Sequence, residues 1–171
     1  MTSPLKAGVV GWPIAHSLSP LIHGAWIEAS GIEAAGLDAR YDAFPAQAEE
    51  DFDALIGALR SGELRGLNVT APWKERALAA VDTASATARR AGSANLLTAE
   101  NGVIHADSTD GEGLLHALVE QAPGLRLGGG EAVLLGAGGA ARAAAAALAD
   151  TGMTVRIVNR SRDRAEALAA D

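Results

Sequence analysis

The run Val133-Leu134-Leu135-Gly136-Ala137-Gly138-Gly139-Ala140-Ala141 constrains this chain more than any other stretch of it. Apolar, strand-forming residues lead straight into G-x-G-x-x-A, and an alanine-rich helical segment follows. This is the pattern of the first turn of a dinucleotide-binding βαβ unit. Gly136 permits the tight turn, Gly138 lets the backbone approach a pyrophosphate, and the small Ala141 lets helix and strand pack closely. The unpaired N–H groups of a helix starting near Gly138 would then receive phosphate. The next strand, Met153 to Val158, ends roughly 20 residues past the glycines, where an NAD site carries Asp or Glu for the ribose 2′-hydroxyl. Here stand Asn159-Arg160-Ser161-Arg162, with Arg164 just beyond. A carboxylate repels a 2′-phosphate, whereas guanidinium groups form charge-assisted bonds to it. The pattern favours NADP over NAD; the plainer alternative is a solvated basic turn on an ordinary βαβ unit.

Bulk properties narrow the remaining choices. A chain of 171 residues allows one large domain or two small ones. With 49% hydrophobic and 20% charged residues it can bury a core, which excludes intrinsic disorder. A net charge of -7 argues against nucleic acid or an anionic membrane as partner. There are no cysteines, hence no disulfides and no thiolate metal site. His16, His23, His105 and His116 lack ligand spacing, so no metal is expected. Met1 to Val10 does not read as a signal peptide. The alanine run from Ala140 is broken by Arg142, ends at Asp150 and is too short to span a membrane. A cytoplasmic protein, monomer or homodimer, is expected.

Strand-like and helix-like segments alternate. Strands are expected at Lys6–Val10, Ala39–Phe44 and Leu67–Thr70, and a hairpin at Asn95–Ala99 and Val103–Ala106 around Asn101-Gly102, a strong two-residue turn signal. Helices are expected at Pro20–Ser30, Glu49–Arg60, Trp73–Ala80, Ala86–Ala91 and Asp110–Gln121; Phe52, Leu55, Ile56 and Leu59 give the second its apolar stripe. Pro123-Gly124 and Gly128-Gly129-Gly130 mark the best boundary. The reading is an α/β fold with a largely parallel sheet. Residues 1–108 form an N-terminal three-layer α/β/α domain, 109–130 a connecting helix and glycine-rich linker, and 131–171 the beginning of a Rossmann domain. A full mononucleotide-binding half is βαβαβ, yet the chain ends at Asp171 inside its second helix. Either the chain is a fragment or the site is incomplete.

Four further segments carry polar residues at strand–helix junctions, where open α/β sheets bind ligands. In Gly11-Trp12-Pro13-Ile14-Ala15-His16-Ser17-Leu18-Ser19-Pro20, Ser17 and Ser19 can donate to a carboxylate; equally, Ser17 reads as a turn serine and Ser19 as a helix N-cap with Pro20 at the first helical position. In Gly66-Leu67-Asn68-Val69-Thr70-Ala71-Pro72-Trp73-Lys74, a cation in the first turn opposes the helix dipole at ~0.3–1 kcal/mol, so helix stability does not select Lys74. A lysine beside an apolar wall such as Trp73 is a candidate general acid or base; a solvated lysine is the alternative. Asn95, in Ala91-Gly92-Ser93-Ala94-Asn95, can donate to and accept from a hydroxyl, or simply hold a turn. In Asp107-Ser108-Thr109-Asp110-Gly111-Glu112-Gly113, Thr109 and Glu112 match a capping box and Asp110 falls where the dipole favours an anion. Spacing alone cannot say whether Asp110 meets Lys74.

Together these segments resemble the shikimate dehydrogenase family. The family's G-N-P-I-x-H-S-x-S-P, N-V-T-x-P-x-K, A-G-A-V-N-T, N-T-D-x-x-G, G-A-G-G-A-x-R and N-R-T recur in order as GWPIAHSLSP, NVTAPWK, AGSANLL, STDGEG, GAGGAAR and NRS, across essentially the whole chain. The resemblance implies reversible NADPH-dependent reduction of 3-dehydroshikimate to shikimate. It implies Lys74 and Asp110 as the catalytic pair and Ser17 and Ser19 on the substrate carboxylate with Thr70 nearby. Asn95 would lie on a ring hydroxyl and Asn68 would support the pocket. Gly136, Ala137, Gly138, Gly139 and Ala140 would lie at the pyrophosphate, and Asn159, Arg160, Ser161 and Arg164 at the 2′-phosphate. Three residues depart from the pattern: Trp12 and Ser108 stand for Asn, and Leu96 for Thr. The family's later Rossmann strands, its late tyrosine and glutamine and its C-terminal helices have no counterpart in these 171 residues, so the chain is expected to lack the family's C-terminal part. The alternatives are a paralogue acting on quinate or an amino analogue, and a truncated, non-catalytic shikimate-binding fragment.

Overall fold

Alternating apolar strands and amphipathic helices build two sheets in the computed structural model, which describes residues 4–32 and 36–170. The outermost residues of the expected domain ranges, 1–3 and 171, lie outside the described residues, as does the expected helix end at Asp171. In chain order the elements are β1 (Leu5–Gly11), α1 (Ser19–Ser30), β2 (Ala39–Pro45), α2 (Glu49–Ser61), β3 (Gly66–Val69), α3 (Lys74–Ala79), β4 (Thr83–Ala84), α4 (Ala86–Ala91), β5 (Leu96–Glu100), β6 (Val103–Asp107), α5 (Asp110–Gln121), β7 (Glu131–Leu135), α6 (Gly139–Asp150), β8 (Thr154–Val158) and α7 (Arg162–Ala170).

The first sheet runs β2-β1-β3-β5-β6-β4. It is mixed rather than largely parallel. β1 is parallel to β2 and β3, and β4 to β6, but β5 runs antiparallel to both β3 and β6. The cause is the Asn101-Gly102 turn: with both residues at positive φ (52° and 79°), it reverses the chain within two residues, so β5 and β6 must be antiparallel. β4 escaped the sequence reading because two residues carry no periodicity.

Alternation along the strands sorts the faces. Val10, Leu67, Val69, Leu97, Ile104 and Ala106 point to one side and close a core with Phe52, Ile56 and Leu59 of α2 and Trp73. Phe52 and Trp73 stack there at 5.2 Å, and the Trp73 indole N–H donates to the Ala46 carbonyl at 2.9 Å, so the buried ring leaves no polar atom unsatisfied. Tyr41 and Asn68 fall on the opposite face, under α1. The second sheet is a single parallel pair, β7 with β8, in register from Glu131↔Thr154 to Leu135↔Val158. α6 and α7 cover one side of it through Ala145 and Leu168.

Two expected caps are corrected. Ser19 is not the N-cap of α1: Leu18 occupies that position, Pro20 is inside the first turn, and no side chain caps the helix. The Ser17 hydroxyl accepts from the Ser19 N–H at 3.3 Å, which starts the helix one residue early and leaves the Ser19 hydroxyl off the backbone. The Thr109–Glu112 capping box is also absent. Thr109 is at the N-cap of α5 but in helical backbone geometry, with no side-chain cap bond. Asn95 takes its groups instead: Asn95 Oδ1 accepts from the Thr109 N–H at 3.0 Å and Asn95 Nδ2 donates to Thr109 Oγ1 at 3.0 Å. A side chain fourteen residues away displaces the local motif.

Candidate active site

Parallel β1 and β3 lie side by side and end together, so the loops after them share one edge of the sheet. Trp12 N–H donates to the Ala71 carbonyl at 3.0 Å and Thr70 N–H to that of Val10 at 2.9 Å, which ties the two loops together. The approach is close enough that a Cβ on Gly11 would come within 2.3 Å of Thr70 Cγ2, so only glycine fits there. Between the loops is a cavity of about 320 Å³, whose polar wall is Ser17, Ser19, Thr70 and His16 and whose apolar wall includes Trp12 and Ile14. Asn68 is not part of that wall; its side chain accepts from the Tyr41 hydroxyl at 2.7 Å. Three hydroxyls around a hollow of this size are suited to a small anion or polyol.

Lys74 is the first residue of α3 and Asp110 the first of α5. Lys74 Nζ donates to Asp110 Oδ2 in an ion pair whose side chains are 15% and 27% exposed. The other carboxylate oxygen, Asp110 Oδ1, accepts from Asn95 Nδ2 at 2.7 Å. The loop before β5 is fastened to Lys74 and to the end of β6: Ala94 N–H donates to the Lys74 carbonyl at 2.9 Å, and Asn95 N–H to that of Asp107 at 3.0 Å. Lys74, Asp110, Asn95 and Thr109 thus form one bonded cluster. Its ammonium keeps two further N–H donors, directed by a carboxylate that is itself held in place.

The glycine turn abuts this cluster. A Cβ on Gly139 would lie 3.0 Å from Lys74 Cβ, and Ser93 Oγ donates to the Gly139 carbonyl at 3.2 Å. One helical turn further on, Arg142 pairs with Glu75 at 3.7 Å, joining α6 to α3. Gly136 has φ +116°, a conformation reserved for glycine, and its N–H donates to the Val158 carbonyl at 2.8 Å. Gly138 is the N-cap of α6 and supplies no side-chain acceptor, so the first N–H groups of that helix remain available to an anion. Ala137 is buried in the core of the second sheet, and Ala140 lies in the first turn of α6.

Beyond β8, Asn159 Nδ2 donates to the Ser161 carbonyl at 2.9 Å and closes the basic turn. Arg162 is engaged by Glu166 at 2.7 Å, while Arg160 and Arg164 are exposed. No carboxylate stands at the end of β8. The glycine turn, the uncapped helix and the exposed guanidinium groups therefore fit a dinucleotide bearing a 2′-phosphate. Sequence reasoning missed Ser93 and Tyr41: Ser93 reads as one more small residue in a loop and Tyr41 as an aromatic strand former. The ordered AGSAN segment was the available signal for the first; nothing local signals the second. Among the described residues, no helix is long and apolar enough to cross a membrane.

Comparison with known proteins agrees with this geometry. Residues 9–97 match the model for the shikimate dehydrogenase substrate binding domain, and residues 117–171 that for shikimate / quinate 5-dehydrogenase. The chain is 55% identical over 167 residues to the NADP(+) shikimate dehydrogenase of Caulobacter vibrioides, covering 96% of this chain and 56% of that protein. It is 49% identical to the corresponding enzyme of Methylocella silvestris, again covering 96% of this chain and 57% of the relative. Among solved structures, shikimate 5-dehydrogenase from Thermus thermophilus in complex with NADP(H) and shikimate superposes with a TM-score of 0.77 at 39% identity, over 97% of this chain and 60% of that one. Shikimate dehydrogenase from Aquifex aeolicus gives 0.82 at 36% identity, over 99% and 62%. The chain thus spans little more than half the length of the curated relatives it matches.

Proposed function

Because the chain belongs to the shikimate dehydrogenase family, we propose that it supplies the substrate pocket, the catalytic pair and the first dinucleotide-binding turn of a cytoplasmic NADP-dependent oxidoreductase that interconverts 3-dehydroshikimate and shikimate. The observation that carries this reading is the position of Lys74. It is held by Asp110 on one side and packed against Gly139 of the glycine turn on the other.

Ser17, Ser19 and Thr70 line the cavity at one end of the site and would take the ring carboxylate through hydroxyl donors. With the carboxylate anchored there, the ring would extend toward Lys74 and Asn95. Glycine-turn residues Gly136 to Ala140 would hold the pyrophosphate, and Asn159, Arg160, Ser161 and Arg164 the 2′-phosphate. NADPH, when bound, supplies the hydride for the ketone carbon. As the carbonyl becomes an alkoxide, negative charge builds on its oxygen. The Lys74 ammonium stabilises that charge and gives up a proton to it. Asp110 balances the ammonium and, fixed by Asn95, keeps it from swinging away. In the reverse direction Lys74 receives the hydroxyl proton.

The test is direct. With shikimate and NADP, the protein as its gene encodes it should form NADPH, faster than with quinate and much faster than with NAD. Absence of NADPH would overturn the enzyme reading. Shikimate binding without turnover would retain the pocket and reject catalysis.

A further inference from the structure

Helix α6 has two requirements that conflict at its first turn. Binding a pyrophosphate there needs the N–H groups of Gly139, Ala140 and Ala141, which precede the first bond of the helix; Arg142 N–H makes that bond, to the Gly138 carbonyl at 2.9 Å. A helix end without a cap frays, and Gly138 and Gly139 add backbone freedom that must be lost on ordering. The usual remedy is a side-chain cap, which would occupy the N–H groups that an anion requires. Gly138, at the N-cap, has no side chain to offer one.

Ser93 holds the turn from the other end of its peptide units. It is 1% exposed, and its hydroxyl donates to the Gly139 carbonyl at 3.2 Å. That carbonyl shares a planar peptide unit with the Ala140 N–H, and in a helix the two point in opposite directions along the axis. Fixing the carbonyl therefore fixes where the N–H points, and a bond accepted at one end of a peptide strengthens the donor at the other. A carbonyl oxygen has two lone pairs, so it takes the Ser93 proton beside the ordinary helical bond from Ala143. No N–H group of the turn is consumed.

The neighbours of Ser93 tie this bond to the chemistry. Ser93 N–H donates to the Ala88 carbonyl at 3.3 Å, which anchors the loop on α4. Ala94 N–H donates to the Lys74 carbonyl at 2.9 Å, and Asn95 Nδ2 to Asp110 Oδ1 at 2.7 Å. Three successive residues thus grip the glycine turn, the lysine and the aspartate.

We propose that Ser93 is a positioning residue for the dinucleotide: its hydroxyl orders the first turn of α6 through the Gly139 carbonyl and leaves the N–H groups of that turn to the pyrophosphate. The proposal deepens the functional reading above and rests on it for the identity of the anion. Ser93 acts only through the Gly139–Ala140 peptide and does not touch the ligand.

The experiment is calorimetric titration of NADP into the protein as its gene encodes it, with adenosine 2′-monophosphate, which has no pyrophosphate, as control. Ser93→Ala removes the bond but leaves the Gly139 carbonyl its helical partner, so the fold should hold. The binding-ready turn is then populated less of the time. NADP should bind about three- to tenfold more weakly, the span of one neutral hydrogen bond, and adenosine 2′-monophosphate should change by less than about twofold. Ser93→Cys fills the same space with a weak donor and should follow Ser93→Ala. In steady-state rates both variants should raise KM for NADP and leave kcat and KM for shikimate nearly unchanged. Unaltered NADP binding in Ser93→Ala, an equal loss for both ligands, or wild-type affinity in Ser93→Cys would each overturn the proposal while leaving the enzyme reading intact. A wild-type protein that binds no NADP would overturn the cofactor reading and the proposal with it.

Discussion

Phe52, Leu59, Leu67, Leu97 and Ile104 are fully enclosed in the first lobe beneath six strands. The second lobe has two strands and a buried cluster of Ala137, Ala145 and Leu168. On its uncovered side Val133, Leu135 and Val158 face outward, Leu135 with 79% of its surface exposed. The chemistry divides the same way. The pocket hydroxyls, Lys74 and Asn95 stand on the lobe with its own core. The glycine and arginine turns stand on a lobe that borrows support. That support is α6 lying against α5: a Cβ on Gly111 would fall 2.8 Å from Ala147 Cβ and 2.9 Å from the Ala143 carbonyl, so glycine and alanine let the helices touch. Arg90–Asp150 at 2.7 Å adds a second tie, between α4 and α6. The contrast teaches that the proposed proton-transfer group stands on a rigid base of its own, whereas the proposed phosphate-binding turn is carried into place by its neighbour.

Four measurements sharpen or break this contrast. The largest effect is expected from Lys74→Met, which should lower kcat by about 10²–10⁴-fold, the usual range for a lost general acid, with shikimate affinity little changed. Equal loss of affinity would make Lys74 a binding group instead. Next, Phe52→Ala should cost about 3–5 kcal/mol of global stability by opening a cavity in the first core. Leu168→Ala should loosen β7 and β8 without altering amide-exchange protection in β1 and β3. Uniform loss of protection would mean that the lobes unfold as one. Third, Arg160→Ala should weaken NADP binding about tenfold through the lost charge-assisted bond and leave NAD binding unchanged.

The smallest effect concerns His23. Burial holds its pKa below the ordinary 6.5, so the folded state favours the neutral ring. As pH falls below 6.5 the unfolded chain takes up a proton first, and stability declines toward the lower folded pKa; above 6.5 the effect vanishes. Urea midpoints at neutral and mildly acidic pH should therefore fall more in the wild type than in His23→Phe.

How far the sequence could be read depended on the range of the interaction involved. Strands and helices with several periods came through within a residue or two: α2 from its apolar stripe, the β5–β6 hairpin from Asn101-Gly102, and β7–α6 from the glycines. The errors fell where a local motif met a competing hydrogen-bond partner, two residues away at Ser19 and fourteen at Thr109. Ser19 before Pro20 and Thr109 before Glu112 both match capping patterns. In one case Ser17 took the backbone N–H, and in the other Asn95 did. A cap contributes only about 1 kcal/mol, so one well-placed competing hydrogen bond displaces it.

The same distinction separates what residue order settled from what folding added. Covalent sequence was sufficient for the glycine turn between β7 and α6, for the absence of a carboxylate after β8, and for family membership, because each depends on neighbours a few bonds apart or on the order of motifs along the chain. The meeting of Lys74 with Asp110, the seating of Gly139 against that lysine, and the hydrogen bond from Tyr41 to Asn68 came only with the packed sheets. Those contacts join side chains on separate strands and helices, and their distances follow from how strands pair and helices pack, which no local pattern encodes.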